Sequence, residues 1–306
     1  MSTVTDSLAA DYRLLTEQVG LVDRSERGKL ALTGGEAKEF LHGQVSNEIE
    51  ALEPGRGCYA AFLTHKGKML GDLRVLDLGD ELWLDTERSA LQELFNMIRR
   101  YKLGRDVELH KRTLERSLLS LVGPGARDVV GGVGPDEHDN ARGELGIVVA
   151  TDLGVDIICE SERADEVKAA LGVPEVPEAV AEIVRVEHGR PRYGIDLDDS
   201  VIPQEAGLNE RAVSFTKGCY VGQETVARLY YRGKPNRHLR GLRLSEPVAS
   251  GEPLRLGERE VGRVGTSVVS PVHGPIALAI VRREAAPGET VAAGETATAT
   301  VVELPF

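Results

Sequence analysis

Residues 215 to 228 read FTKGCYVGQETVAR, a single cysteine set between a lysine-glycine pair and a tyrosine, with a second glycine and a Gln-Glu pair behind it. A thiol attacks or binds only as thiolate, and a nearby cation or the open amides of a helix start favour that form. Lys217 stands two residues from Cys219, and Gln223 through Tyr230 is predicted to form a helix burying Val226, Leu229 and Tyr230. Gly218 and Gly222 let the backbone bend around the thiol. The same residues also fit a bland reading in which Cys219 is a small apolar side chain filling space beneath a turn. Local chemistry leaves both open. Arg228 and Arg232, one helical turn apart, share a face and suit an anion contact.

The elements that position these residues belong to a chain of 306 residues, longer than one core usually supports, so two or three domains are expected. Hydrophobic content of 41% and charged content of 28% are ordinary for a globular protein, and no apolar run is long enough to span a bilayer. The first residues, MSTVTDSLAADYRLLTEQVG, read as an acidic amphipathic helix with Leu8, Tyr12, Leu15 and Val19 on one side rather than as an export leader. Cys58, Cys159 and Cys219 are an odd set without a CxxC pair, which argues for reduced thiols in the cytoplasm and against a metal site or a disulfide framework. The formal charge of −12 disfavours direct nucleic-acid binding, a reading that a continuous Lys/Arg surface would reverse.

Two stretches share a layout of strand, turn, strand and helix: GDLRVLDLGDELWLDTERSALQELFNMIRR and GELGIVVATDLGVDIICESERADEVKAALG. Their turns fall near Gly79-Asp80 and Leu153-Gly154, and hydroxyl and carboxyl side chains in TERS and SERAD are placed to cap the helices. Leu91, Leu94, Phe95 and Ile98 carry the buried face of the first helix. Such units build antiparallel sheets covered by helices, an α+β class. The stretch GPGARDVVGGVGPDEHDNARG reads as loop, with no phosphate-binding glycine motif. From about Pro235 short apolar runs separated by Gly and Pro predict a separate small β-barrel or sandwich.

The run RVEHGRPRYGIDLDDSVIPQEAGLNERAVSFTKGCYVGQETVARLYYRGKPNRHLRGL resembles the YgfZ family of folate-binding proteins that maintain iron–sulfur enzymes. That family's signature, KGC followed by an aromatic, any residue and GQE, is present at Lys217 to Glu224. The resemblance extends to FLHGQVSNEI, CYAAFLTHKGKMLGDLRV and GTSVVSPVHGPIALAIVRRE. It implies kinship with the aminomethyltransferase (T-protein) of glycine cleavage, which carries Asp-Phe where this chain has Cys219-Tyr220. The implied fold is three domains in a GcvT/YgfZ-like ring: a discontinuous folate-binding domain of residues 1–45 and 115–232, a second α+β domain at 46–114, and a C-terminal β-barrel at 233–306. The implied cofactor is tetrahydrofolate or a one-carbon derivative, and the implied partners are iron–sulfur enzymes, tRNA-modifying ones among them, or their assembly factors.

Cys219 and Lys217 are then the expected working pair. For folate, Glu187 in VRVEHG matches the glutamate that serves the pterin in T-protein relatives, Glu205 in IPQE is a second candidate, and Arg228 an anion contact. Either glutamate equally fits pairing with Arg185, Arg190 or Arg192 on a solvated face. Asp72 in MLGDLRV stands where T-proteins have an Asp-Asp-Leu stretch, and only one of the two carboxylates is present. It equally fits a turn residue opening a strand. Lys66 and Lys68 could meet the folate tail or form an exposed basic turn. The same kinship leaves a folate-dependent aminomethyltransferase and a folate-binding scaffold without chemistry as alternatives.

Overall fold

In the computed structural model, which describes residues 2–306, the chain forms two compact units. The first comprises Met1–Leu63, Leu70–Ala181 and Arg211–Val221, and the second Thr64–Met69, Glu182–Glu210 and Gly222–Phe306.

The first unit begins with α1 (Ser2–Glu17), β1 (Gly20–Asp23), β2 (Gly28–Thr33) and α2 (Ala37–Gln44). The hairpin strands β3 (Gly57–Leu63), β4 (Met69–Asp77) and β5 (Leu82–Thr86) follow, then α3 (Leu91–Tyr101) and β6 (Glu108–Lys111). After β7 (Arg116–Val122), the short α4 (Ala126–Val130), β8 (Asn140–Gly143), β9 (Gly146–Ala150) and β10 (Gly154–Glu160) comes α5 (Ala164–Leu171). Two five-stranded sheets result, in the orders β3-β4-β5-β2-β6 and β1-β7-β10-β9-β8.

The second sheet has near-continuous apolar strands because both its faces are covered. Period-2 alternation sends Leu119, Leu121 and Ile157 into a core with Ala126 of α4 and Val167 of α5. Their neighbours Leu118 and Ile158 pack with Leu76 and Trp83 of the first sheet. A buried ion network crosses the same interface: Arg74 of β4 donates to Asp85 at 2.7 Å and to Asp156 at 2.6 Å, and Ser120 donates to Asp156. Both predicted hairpin-and-helix units are present. Leu94 and Ile98 are fully buried, whereas the expected side-chain caps are not formed: Ala90 and Arg163 occupy the cap positions. Tyr12 and Leu15 of α1 are buried, and Val19 lies beyond the helix end.

The second unit contains α8 (Gln223–Arg232), the part of α6 (Glu178–Glu187) from Glu182 on, and six strands. These are β11 (Arg237–Leu244), β12 (Pro253–Leu256), β13 (Arg259–Ser270), β14 (Gly274–Arg282), β15 (Thr290–Ala293) and β16 (Ala297–Val302). They close into a barrel in the order β11-β14-β13-β12-β15-β16, which leaves no open sheet edge. Alternation is clean in β16, where Ala297, Ala299 and Val301 face the core and Thr298 and Thr300 face solvent. The expected α+β class with antiparallel sheets, helices and a C-terminal barrel is what the chain adopts. The short α7 (Asn209–Ala212) precedes the cysteine-bearing segment. Among the described residues no helix is long and apolar enough to cross a membrane.

Candidate functional site

Cys219 and Gly218 before it are exposed, and the buried Lys217 and Tyr220 flank the pair. Lys217, 8% exposed, reaches under the loop and donates to the carbonyls of His42 (2.5 Å), Val45 (2.8 Å) and Asn47 (2.8 Å). These acceptors lie at the C-terminal end of α2 and in the turn after it, where helical carbonyls lack partners and a cation is favoured. An ammonium has three hydrogens, and all three are used. The Tyr220 ring, buried, lies 5.1 Å from the same ammonium. The start of the segment is fastened through Ser46, whose hydroxyl donates to the Ala212 carbonyl and accepts from Ala61 N–H, while its carbonyl takes Ser214 N–H. Gly222 takes φ +85° just before α8, a conformation that other residues adopt at a cost.

The loop therefore presents the thiol rather than packing it, and the space-filling reading of Cys219 does not hold. The sequence argument placed the Lys217 cation beside Cys219. Its carboxylate neighbours are instead Glu48 and Glu50, with the Cys58 thiol nearby, and burial pulls its pKa down to about 8. Cys58, half-buried, donates its S–H to the Glu48 carbonyl, and burial pushes its thiol up to about 12 against the pull of Lys217. A thiol so held is protonated and inert at neutral pH. The predicted α8 forms with Val226 fully buried, but Tyr230, one turn further along the same side, is exposed.

A second cluster lies in the same unit. Asp72 of β4 is 4% exposed and accepts a 2.6 Å hydrogen bond from the Tyr59 hydroxyl on β3. Burial raises the Asp72 pKa to about 6, Tyr59 and Arg27 pull it down, and Glu87 adds to the rise. Arg27 itself binds Asp85 and Glu87. The Arg211 guanidinium lies 5.4 Å from the Tyr59 ring centroid, and Asn47 joins the two by donating to both their carbonyls. Because the Asn47 carbonyl also holds Lys217, the acid and the thiol loop share one hydrogen-bonded frame. A carboxyl poised near 6 beside a phenol can give or take a proton at neutral pH.

His138, which sequence reasoning missed inside a Gly/Pro/Asp loop, borders this cluster. It has φ +72°, the only positive value among the described non-glycine residues, and its buried Nδ1 has no hydrogen-bond partner among them. Burial, then Arg74 and Arg211, hold its pKa down to about 3, so it stays neutral. Its neighbour Glu137 pairs with Arg211. The DEH run was the available signal, masked by the loop composition around it.

The remaining sequence candidates lie in the second unit. Glu187, at the end of α6, accepts from Ser270 Oγ at 2.5 Å. Glu205 is buried and meets Arg237 through both oxygens, at 3.1 and 2.9 Å, while also accepting Ile202 N–H. Its partner is Arg237, not one of the arginines the sequence suggested. Arg228 is exposed on α8, Lys66 is exposed, and Lys68 donates to the Ser200 carbonyl.

Residues 1–158 match the family model of the GCVT N-terminal domain, and residues 237–306 match that of the glycine cleavage T-protein C-terminal barrel domain. A protein of Arabidopsis thaliana that carries the name of a chloroplastic transferase is 28% identical over 309 residues, covering 94% of this chain and 71% of that one. The crystal structure of the glycine cleavage system aminomethyltransferase T from Bartonella henselae superimposes with a TM-score of 0.88 at 23% identity, covering 98% of this chain and 89% of that one. At that identity the likeness establishes the fold.

Proposed function

Because the chain belongs to the GCVT N-terminal domain family, we propose that it binds tetrahydrofolate or a one-carbon derivative and supports the assembly or repair of iron–sulfur enzymes through Cys219. The observation that carries this reading is the exposed thiol held between the buried Lys217 and Tyr220. A structural cysteine would be packed away, and this one is the single exposed thiol of three. Folate supplies nitrogen atoms that accept or carry a one-carbon unit. In the first unit, Asp72 would hold or release a proton near such a nitrogen, with Tyr59 fixing the carboxyl's orientation. Lys217 positions the loop by bracing its backbone rather than by acting on the Cys219 thiol. For the second unit, taken by itself, Glu187 and Glu205 are the proposed pterin ligands, and Glu205 would have to give up its contacts with Arg237 to serve. Arg228, exposed, remains available for an anionic group.

The experiment is restoration of iron–sulfur enzyme activity in cells lacking a YgfZ-type protein, comparing wild type, Cys219→Ser and Asp72→Asn. Loss in Cys219→Ser with folate binding intact supports the reading, and full restoration by Cys219→Ser refutes the thiol role.

A second reading has its own observation. The Asp72 carboxyl, near 6 and bonded to Tyr59, suits proton transfer in aminomethyl transfer to folate. Incubation with tetrahydrofolate and an aminomethyl-loaded lipoyl carrier protein, following ammonia release, separates the two. Turnover abolished in Asp72→Asn but retained in Cys219→Ser would favour the transferase.

A further inference from the structure

The whole net charge of −12 resides in the first unit, because the second carries 16 basic and 16 acidic side chains. Within the second unit the balance is uneven. Residues 228–243 contain six Arg or Lys and no Asp or Glu. Some of these cations are used internally: Arg237 meets Glu205 and Arg240 meets Glu303. Arg228, Arg232 and Lys234 are exposed and have no ion pair among the described residues.

Helical spacing places Arg228, Tyr231 and Arg232 on one face of α8, and Tyr231 is 66% exposed. Tyr230 beside it is 48% exposed and meets Tyr231 edge to face at a centroid distance of 5.0 Å. The exposed Lys66 belongs to the same surface. Gly67, at φ +74°, lies so close to α8 that a Cβ there would come within 2.9 Å of Thr225, which seats the basic turn of residues 64–69 on the first turn of the helix. At the other end, the Asn236 carbonyl accepts the N–H of Arg283, bringing another exposed arginine to the edge of the face.

We infer that this face docks single-stranded RNA. Cations without internal partners neutralise phosphates, and an exposed aromatic flanked by arginines offers a stacking platform that any base can use. Stacking needs bases that are already unpaired, which folded RNA displays in loops and ends, whereas double-helical DNA keeps them paired. Tyrosine hydroxyls can further meet a ribose 2′-OH. An acidic protein partner would use the cations but gain little from an aromatic set among them. The local surface thus reverses the expectation drawn from net charge. The inference goes beyond the folate reading and does not depend on the thiol.

The test is fluorescence anisotropy of the full-length protein with labelled oligouridylate, at 50 and 200 mM salt. Four cations contacting phosphates (Lys66, Arg228, Arg232 and Lys234) predict about 50-fold weaker binding at the higher salt. Tyr231→Ala is expected to weaken binding about ten-fold, whereas Tyr231→Phe should keep the stacking and lose only part of the preference for oligouridylate over oligothymidylate. Arg232→Glu combined with Lys234→Glu should abolish it, while circular dichroism melting reports an intact fold. Cys219→Ser should bind RNA like wild type, so failure of the thiol reading and failure of this one are read separately. Absence of binding at 50 mM salt, equal affinity for oligothymidylate or polyglutamate, or insensitivity to Tyr231→Ala would each overturn the proposal.

Discussion

Replacing Asp72 by asparagine should make the protein more stable at neutral pH while impairing its function. The carboxyl has a pKa of about 6 in the folded chain against 3.8 for the unperturbed group, chiefly because burial disfavours its charge. A folded value above the unfolded one means that the folded state binds the proton more tightly, so stability is greatest below about 3.8 and falls as pH rises through about 6. Above that window, keeping Asp72 ionised costs about 3 kcal/mol. Asparagine keeps a carbonyl for the Tyr59 hydroxyl and removes the charge. At pH 7.5 it should recover most of that cost, a rise of about 5 °C in Tm for a chain of this length melting as one transition. By pH 4.5, where the folded carboxyl is already protonated, the gain should shrink to about 1 kcal/mol. Urea denaturation of both proteins across this range is the assay. An Asp72→Asn protein that is no more stable at pH 7.5, or whose advantage is the same at both pH values, would refute the reasoning.

Tyr59→Phe removes the hydrogen bond that pulls Asp72 down, so its pKa should climb above about 6, shifting any Asp72-dependent pH profile to higher pH. Alkylation of the native protein should label Cys219 well before Cys58 and Cys159, whose thiols burial pushes up, and mass spectrometry of digests would show the order. Lys217→Met strips donors from three carbonyls and should cost about 3 kcal/mol or more, read by urea denaturation. Gly222→Ala must adopt φ +85° and should cost about 1–2 kcal/mol, again by denaturation.

The local elements were legible where periodicity spoke clearly. Leu94 and Ile98 mark α3 by spacing alone, and Ala297, Ala299 and Val301 mark a barrel strand by alternation. Helix capping was misread because hydroxyls and carboxyls near a helix start are a frequent but neither necessary nor sufficient sign: Ala90 and Arg163 sit at the actual cap positions. The cysteine loop shows the larger gap. Sequence adjacency suggested that Lys217 serves Cys219, but side chains two apart need not point together, and the lysine is drawn to carbonyls some 170 residues away in the chain. His138 and the Tyr59–Asp72 bond depend on strands brought together by the fold, which no local window reveals. Glu205 failed as an open carboxylate for the same reason, its partner Arg237 lying 32 residues on.

The lysine strut under the cysteine loop grips main-chain oxygens, which every amino acid carries. Mutational drift in the side chains at residues 42, 45 and 47 can therefore alter packing without removing an acceptor. A single-residue insertion or deletion between Gln44 and Glu48 would instead displace the acceptors from one another. The strut is thus tolerant of spelling and intolerant of length, and loop-grafting into a related scaffold would have to carry the turn after α2 together with the cysteine segment.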